Sequence, residues 1–181
     1  MNDLRHHRLA LPLAAAAGIL LGTCVFLAAK ITNPRPIDWL DVKYWDLLGA
    51  RAPAFELETL DGARVSDRVM GDKGYLMIFG ESGCAACDVV YPGLKEVDAG
   101  FPALMISTGR RAELAAKVAA YGFRFPVAFD SMATMAKSLD LRAYPSAVFV
   151  DTEGNIAKAA SGISNTVAIV RLARLVIDES E

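Results

Sequence analysis

The sequence predicts an α/β domain, with strands and helices alternating around one sheet, behind a single N-terminal transmembrane helix. Three observations lead there. Leu9 to Ala29 is a run of 21 residues without one Asp, Glu, Lys, Arg or His. All 40 charged residues therefore fall in the other 160, a quarter of them, which is the usual share for a globular domain. From Ala50 onward, short apolar runs alternate with stretches of helical periodicity. These features together exclude a disordered chain, a coiled coil and a multi-spanning protein, although 54% of the residues are hydrophobic and mean hydropathy is +0.31. The formal net charge is −2, with five bases and four acids in residues 1–49 and 14 and 17 in the remainder. No basic field exists to hold nucleic acid.

At about 1.5 Å per residue, the apolar run spans roughly 31 Å, close to the ~30 Å hydrocarbon core of a bilayer. A cleaved signal peptide would have a shorter apolar core and a small-x-small cleavage site. Phe26 and Leu27 spoil the cut positions at Ala28 and Ala29, so the segment reads as an uncleaved anchor. Cys24 follows Leu21-Gly22-Thr23, but Thr23 suits a lipoprotein cleavage site poorly, and Cys24 reads as an inert anchor residue. The organisation expected is a cytoplasmic tail over 1–8, the anchor over 9–31, a juxtamembrane linker over 32–49 and the domain over 50–181. Basic residues flank the anchor on both sides, so the expected orientation, tail inside and domain outside, is the default for such a segment. In the linker, Ile37, Leu40, Tyr44 and Leu47/Leu48 recur at helical spacing. Trp39 and Trp45 fit either a membrane interface or packing onto the domain.

Within the domain, AFELETLDGARVSD reads as a hairpin, with Phe55 and Leu57 alternating with Glu56 and Glu58 and Asp61-Gly62 at the turn. Tyr75 to Phe79 is a continuous apolar run, as in a strand covered on both faces. A helix is expected from Ala85 to Ala99, a buried strand from Phe101 to Ser107 and a helix from Arg110 to Tyr121 with Leu114, Val118 and Tyr121 on one face. Phe125 to Phe129 reads as a short strand and Met132 to Leu139 as a short helix. Ser146 to Val150 is a strand, Asp151 to Asn155 a turn and Ile156 to Ala160 its partner. Ile163 to Ile177 closes the chain as a helix, with Val167, Val170, Leu172 and Leu175 facing inward.

The chemistry lies in Phe79-Gly-Glu-Ser-Gly-Cys84-Ala-Ala-Cys87-Asp-Val-Val-Tyr-Pro92. A strand ends, a Gly-containing loop follows and a helix begins at the first cysteine. Spacing of i, i+3 brings the two sulfurs onto one turn, within reach of a disulfide. Free N–H groups and the helix dipole at the first cysteine favour its thiolate, the form that attacks another disulfide. The roles expected are that Cys84 attacks and Cys87 resolves. A zinc site needs about four ligands, and the domain offers these two cysteines and no histidine, since His6 and His7 precede the anchor. No metal and no cofactor other than a redox-active Cys84–Cys87 disulfide is therefore expected. The same lack of an imidazole argues against copper delivery. A merely structural disulfide across two residues is the remaining alternative.

On these residues the sequence resembles the membrane-anchored thioredoxin-like proteins of the TlpA/ResA type, within the AhpC/TSA-Redoxin superfamily, over about residues 47–178. LLGARAPAFELETLDGARV is similar to that family's opening Gly-x-x-Ala-Pro-x-Phe-x-Leu with a later Asp-Gly. Cys84-Ala-Ala-Cys87 matches its CxxC, and Pro92 the proline that kinks its active-site helix. Tyr144-Pro145-Ser-Ala-Val-Phe-Val-Asp151 resembles its cis-proline loop and following strand. The 58 residues from Cys87 to Pro145 exceed plain thioredoxin spacing, and the surplus resembles a strand–helix insertion. The resemblance implies a thioredoxin-like fold, a central mixed sheet flanked by helices. It also implies a cis bond before Pro145, a bond type that tolerates cis far better than others. Such a turn sets the Tyr144 backbone beside the sulfurs, where a substrate chain pairs as an added strand.

The departures are equally specific. Gly83 stands where the family has Trp, and Ala85-Ala86 where a Pro often sits between the cysteines. Thioredoxin's buried Asp, six residues before the first cysteine, is Ile78 here. The Glu that some TlpA/ResA-type members carry three residues after the second cysteine is Val90. Glu81 is the nearest carboxylate, a candidate for proton transfer or a solvated loop residue, and Tyr91 reads as helix packing. Peroxiredoxins share the fold, but their Pro-x-x-x-Thr/Ser-x-x-Cys pattern would need Pro at Met77 and Thr or Ser at Glu81. The resemblance implies a thiol–disulfide oxidoreductase on a bacterial cytoplasmic membrane, facing the periplasm and acting more often as a reductant, as in cytochrome c maturation. Its expected partners are protein thiols and disulfides, a membrane thiol-transfer donor or acceptor, and lipid. A dedicated disulfide-forming oxidant and a non-catalytic peptide-binding module are the alternatives.

Overall fold

The computed structural model describes residues 44–70, 74–95, 97 and 102–178, the last five of these by backbone alone. The predicted tail, the anchor at 9–31 and the linker up to residue 43 lie outside the described residues. Among those described, no helix is long and apolar enough to cross a membrane.

The hairpin forms as its alternation requires. Strands β1 (Glu56–Glu58) and β2 (Arg64–Ser66) run antiparallel with Leu57 opposite Val65, and Gly62 takes φ +86° at the turn. A one-turn helix α1 (Asp67–Met70) follows. The main sheet is mixed and has the order β5-β4-β3-β6-β7. Its centre is β3 (Tyr75–Glu81), paired in parallel with β4 (Ala103–Thr108), which pairs in parallel with β5 (Val127–Phe129). On the other side β6 (Ser146–Val150) and β7 (Ile156–Ser161) run antiparallel. The remaining helices are α2 (Ala85–Leu94), α3 (Arg111–Tyr121), α4 (Thr134–Ser138) and α5 (Ile163–Asp178).

The period of two in β3 divides the core. Leu76 and Ile78 face one cluster, with Val90 and Leu94 of α2, Leu114 of α3 and Ile169, Val170 and Ala173 of α5. Tyr75, Met77 and Phe79 face the other, with Phe55 and Val65 of the hairpin and Met135 and Ala136 of α4. Both faces of β3 are covered, which is why its sequence is a continuous apolar run. Burying each of the larger aliphatic, Met and Phe side chains among these stabilises by about 1.5–3 kcal/mol.

Element boundaries moved where backbone chemistry required it. Helix α2 stops at Leu94, short of Ala99, and Val97 N–H turns back onto the Leu94 carbonyl at 3.0 Å. Pro92 within it lacks an N–H to continue the ladder. Strand β5 starts late because Pro126 offers only its carbonyl, which accepts from Met105 N–H at 3.0 Å. Helix α4 is shorter than expected. Ala133 before it is left-handed (φ 53°), and the Asp130 carboxylate accepts from Met135 N–H at 2.9 Å. In α5, Val170 is buried as expected, together with Ile169 and Ala173, while Val167 and Leu172 are half-buried. The last residues of the linker pack on the domain: Tyr44 is 8% exposed and its N–H bonds Ala159 O at 3.1 Å. Trp45, in the short 3-10 turn Trp45–Leu47, is 67% exposed.

Candidate active site

The first apolar face of β3 ends at Gly80, and the chain then leaves the sheet through Glu81-Ser-Gly83 to begin α2. Cys84 is the N-cap of that helix, with extended backbone (φ −84°, ψ 108°). Its Sγ accepts from the Cys87 N–H at 3.1 Å, one of the donors a helix start leaves unpaired. Cys84 and Cys87 are joined as a disulfide across Cα atoms 5.3 Å apart. Their surroundings differ. Cys84 is partly exposed at the helix start, whereas Cys87 is 0% exposed, one turn deeper in the core cluster that contains Ile78 and Val90.

The Tyr144–Pro145 peptide is cis, as the resemblance implied. Phe79 pairs with Ser146 in the β3–β6 ladder. That pair ends the ladder, so Pro145 and Tyr144 follow on at the end of the sheet where β3 finishes with Gly80 and Glu81. Tyr144 and Cys84 both pack against the cluster that holds Cys87. Burial pushes the Tyr144 phenol pKa up, a hydrogen bond with Thr108 opposes the rise, and the Glu81 charge adds to it. Glu81 is exposed at the end of β3, so the strand's direction turns it toward solvent and Tyr144, away from the interior where Cys87 lies. The four residues singled out for chemistry and docking therefore meet at one end of the sheet. Glu81 lies at the rim.

Two supports were not visible in the sequence. Ser82, 3% exposed, accepts from the Arg110 N–H at 2.9 Å and donates to the Glu113 carboxylate at 2.9 Å, tying the CxxC loop to the start of α3. The Arg110 guanidinium, then the Ser82 hydroxyl, hold the Glu113 carboxyl below its ordinary range. Gly109 (φ +91°) makes the approach possible, because a Cβ there would sit 2.5 Å from Ser82 Oγ. Behind the cis-proline loop, Ser161 Oγ lies 2.5 Å from Tyr44 Oη and 2.7 Å from Ser146 Oγ. Ser146 Oγ donates to Ala143 O at 2.5 Å, and the Arg142 N–H donates to Tyr44 Oη at 2.8 Å. These are single serines and one tyrosine far apart in sequence, and nothing in their spacing marks them. No group of His, Cys, Asp or Glu among the described residues could hold a metal ion.

The AhpC/TSA family profile matches residues 48–159. The chain belongs to the AhpC/TSA family. Its fold is similar to the thioredoxin domain of a thiol-disulfide oxidoreductase from Bacteroides vulgatus, at TM-score 0.57 and 20% identity over 68% of this chain and 95% of that one. It is also similar to a secreted Mycobacterium tuberculosis disulfide oxidoreductase homologous to E. coli DsbE, at TM-score 0.56 and 19% identity over 67% and 93%. A third likeness is to the pneumococcal exposed lipoprotein thioredoxin Etrx1 from Streptococcus pneumoniae, at TM-score 0.53 and 23% identity over 67% and 98%. Together they establish the thioredoxin-like α/β fold with its mixed sheet. No curated protein matches the chain.

Proposed function

We propose that this protein is a thiol–disulfide oxidoreductase acting on protein substrates. The observation that carries the proposal is the unequal pair at the start of α2, Cys84 reachable at the N-cap and Cys87 buried beneath it. Acting as a reductant, the Cys84 thiolate attacks one sulfur of a substrate disulfide and expels the other as a thiolate. Cys87, as thiolate, then attacks Cys84 Sγ, the Cys84–substrate bond breaks, and its electron pair leaves with the second substrate sulfur. The substrate ends as a dithiol and the protein as the Cys84–Cys87 disulfide. The backbone at the half-buried Tyr144, before cis-Pro145, is the place for the substrate strand.

The tether expected at 9–31 supports an assignment to the periplasmic face of a bacterial cytoplasmic membrane, with lipid and a membrane thiol-transfer protein as partners. That protein would return two electrons to the disulfide after each turnover. Reduction of apocytochrome c cysteines before haem attachment is the favoured use. A disulfide-forming oxidant uses the same two sulfurs in reverse. A peptide-binding module would keep its function when both cysteines become Ser. Membership of the AhpC/TSA family does not favour a peroxidase here, since Met77 and Glu81 occupy the positions of the peroxidatic Pro and Thr/Ser.

The test is the reduction potential of the Cys84–Cys87 couple together with partner capture by a Cys87→Ala chain. A value near about −270 mV supports a reductant, and one near about −120 mV the oxidant. If Cys87→Ala accumulates no mixed disulfide with any protein, the proposal fails.

A further inference from the structure

The interior beside Cys87 holds a polar group that packing does not explain. Tyr91 lies four residues on, on the same face of α2, and is 1% exposed. Its ring is enclosed by Tyr121 and Phe123, at centroid distances of 5.4 and 5.5 Å. Its hydroxyl is buried and has no hydrogen-bond partner. An unpaired buried hydroxyl is costly, and phenylalanine would fill the same space without that cost.

The hydroxyl lies in the same buried cluster as the Cys87 sulfur, beside Gly80. A Cβ built on Gly80 would sit 2.8 Å from Tyr91 Oη and 3.8 Å from Cys87 Sγ, so the two atoms lie within 6.6 Å of each other across a glycine that leaves the space open. The methyl of Met105, at 3.2 Å, lies between them in distance from that point. We propose that the Tyr91 hydroxyl is the internal hydrogen-bond donor to the Cys87 sulfur whenever that sulfur carries negative charge, and so sets how readily Cys87 leaves and attacks. This inference rests on the thiol-exchange reading of the site.

The electron count shows why a donor is needed there. When a substrate thiolate attacks Cys84 Sγ, the Cys84–Cys87 bond breaks and its electron pair goes to Cys87 Sγ, in a fully buried position. The same thiolate must form before Cys87 can resolve a mixed disulfide. Burial opposes that charge. Among the described residues, the charged and titratable groups near this interior include Cys84 and Asp88 at the start of α2, Lys117 and Tyr121 on α3, and Tyr144 before β6, with Glu81 at the rim facing away. Lys117 Nζ is engaged with Asp88 at 2.5 Å and lies 5.7 Å from the Tyr91 ring centroid, so its charge is largely matched before it reaches the sulfur. Burial first, then the Asp88 charge, then Tyr121, raise the Tyr91 phenol far above its usual range. The phenol therefore stays protonated across the working pH range. It donates a hydrogen bond to the thiolate and does not act as a base. The Cys87 proton leaves to solvent, or to the departing substrate thiolate.

The test is Tyr91→Phe in the full chain, reduced, with the Cys87 thiol titrated by heteronuclear NMR of isotope-labelled cysteine. Loss of a hydrogen bond to a charged group should raise the Cys87 pKa by about one unit, which is tenfold less thiolate at fixed pH. Resolution of a mixed disulfide should slow about tenfold near neutrality and converge with wild type at alkaline pH, where Cys87 is ionised in both. Cys84 alkylation should not change. In the wild-type chain, the Tyr91 ring resonances should titrate in step with Cys87, a readout that does not depend on the variant. An unchanged Cys87 pKa, superimposable pH profiles, or a Tyr91 signal indifferent to Cys87 overturns the inference. If the wild-type chain exchanges with protein disulfides while Tyr91→Phe changes nothing, this inference falls and the functional reading stands. If the wild-type chain exchanges nothing, that reading falls, and the Cys87 titration still decides the Tyr91 contact.

Discussion

Two sets of buried hydroxyls lie at the same end of the sheet and are treated in opposite ways. Behind the cis-proline loop, Tyr44, Ser146 and Ser161 bond one another and the carbonyl of Ala143. Beneath the CxxC turn, the Tyr91 hydroxyl has no partner. The closed set holds a loop in one shape, since every member lost would leave another with one partner fewer. The open hydroxyl stabilises nothing in the disulfide state and is available only to a charge that appears during exchange. Under the proposed function, the two segments at the mouth of the site do separate work, one as a fixed docking edge and the other as the reactive turn.

The largest expected effect separates chemistry from fold. Cys84→Ser should abolish exchange with protein disulfides while leaving the two hydroxyl sets and the far-ultraviolet spectrum intact; retained exchange would contradict the assignment of roles. Ser161→Ala opens the closed set and leaves Tyr44 Oη and Ser146 Oγ short of a partner. A loss of about 1–3 kcal/mol in denaturant unfolding is expected, with docking impaired and Cys84 alkylation unchanged. Gly80→Ala forces a methyl against Tyr91 Oη and Met105. Overpacking there should cost about 1–3 kcal/mol and slow resolution as well. Tyr91→Phe removes the same chemical group as Ser161→Ala and should do the reverse to stability, a change within about 0.5 kcal/mol or a small gain. If both hydroxyl deletions destabilise alike, the contrast between the two sets is wrong.

The smallest effect is in acid. Glu113 has its carboxyl held below its ordinary value of 4.5, first by Arg110 and then by Ser82. Its contribution to stability is therefore complete above that value and is lost as pH falls toward the lower folded value. Glu113→Gln should flatten that part of the acid unfolding curve slightly, because the group is solvent-exposed and its partners are screened.

Much of this was legible in the residues. The run Tyr75–Phe79 reads as a strand covered on both faces and is one, and the Asp61-Gly62 turn carried the hairpin. Cys84-Ala-Ala-Cys87 after a strand announced both the helix start and the difference between the sulfurs. The cis bond before Pro145 followed from the resemblance, because the sequence by itself permits either isomer. The helix ends were less legible, since a proline, a left-handed alanine and a carboxylate cap outweighed periodicity at α2 and α4. The hydroxyl sets were not legible at all. Ser82, Ser146 and Ser161 are common surface residues in sequence; the β6–β7 register brings the last two together, and the fold alone sets Ser82 against Arg110 and Glu113. Tyr91 reads as packing, which accounts for its ring; its orphaned oxygen, near Gly80 and in one cluster with Cys87, has no signal in the sequence.

The central claim is that Cys84 is the attacking sulfur and Cys87 the resolving one, and the most direct measurement is the alkylation of each cysteine in the reduced full chain as a function of pH. The account predicts that Cys84 is modified selectively near neutral pH, with a thiol pKa below about 8.5, while Cys87 stays unmodified until the fold opens. Equal reactivity of the two sulfurs, or faster modification of Cys87, would contradict it.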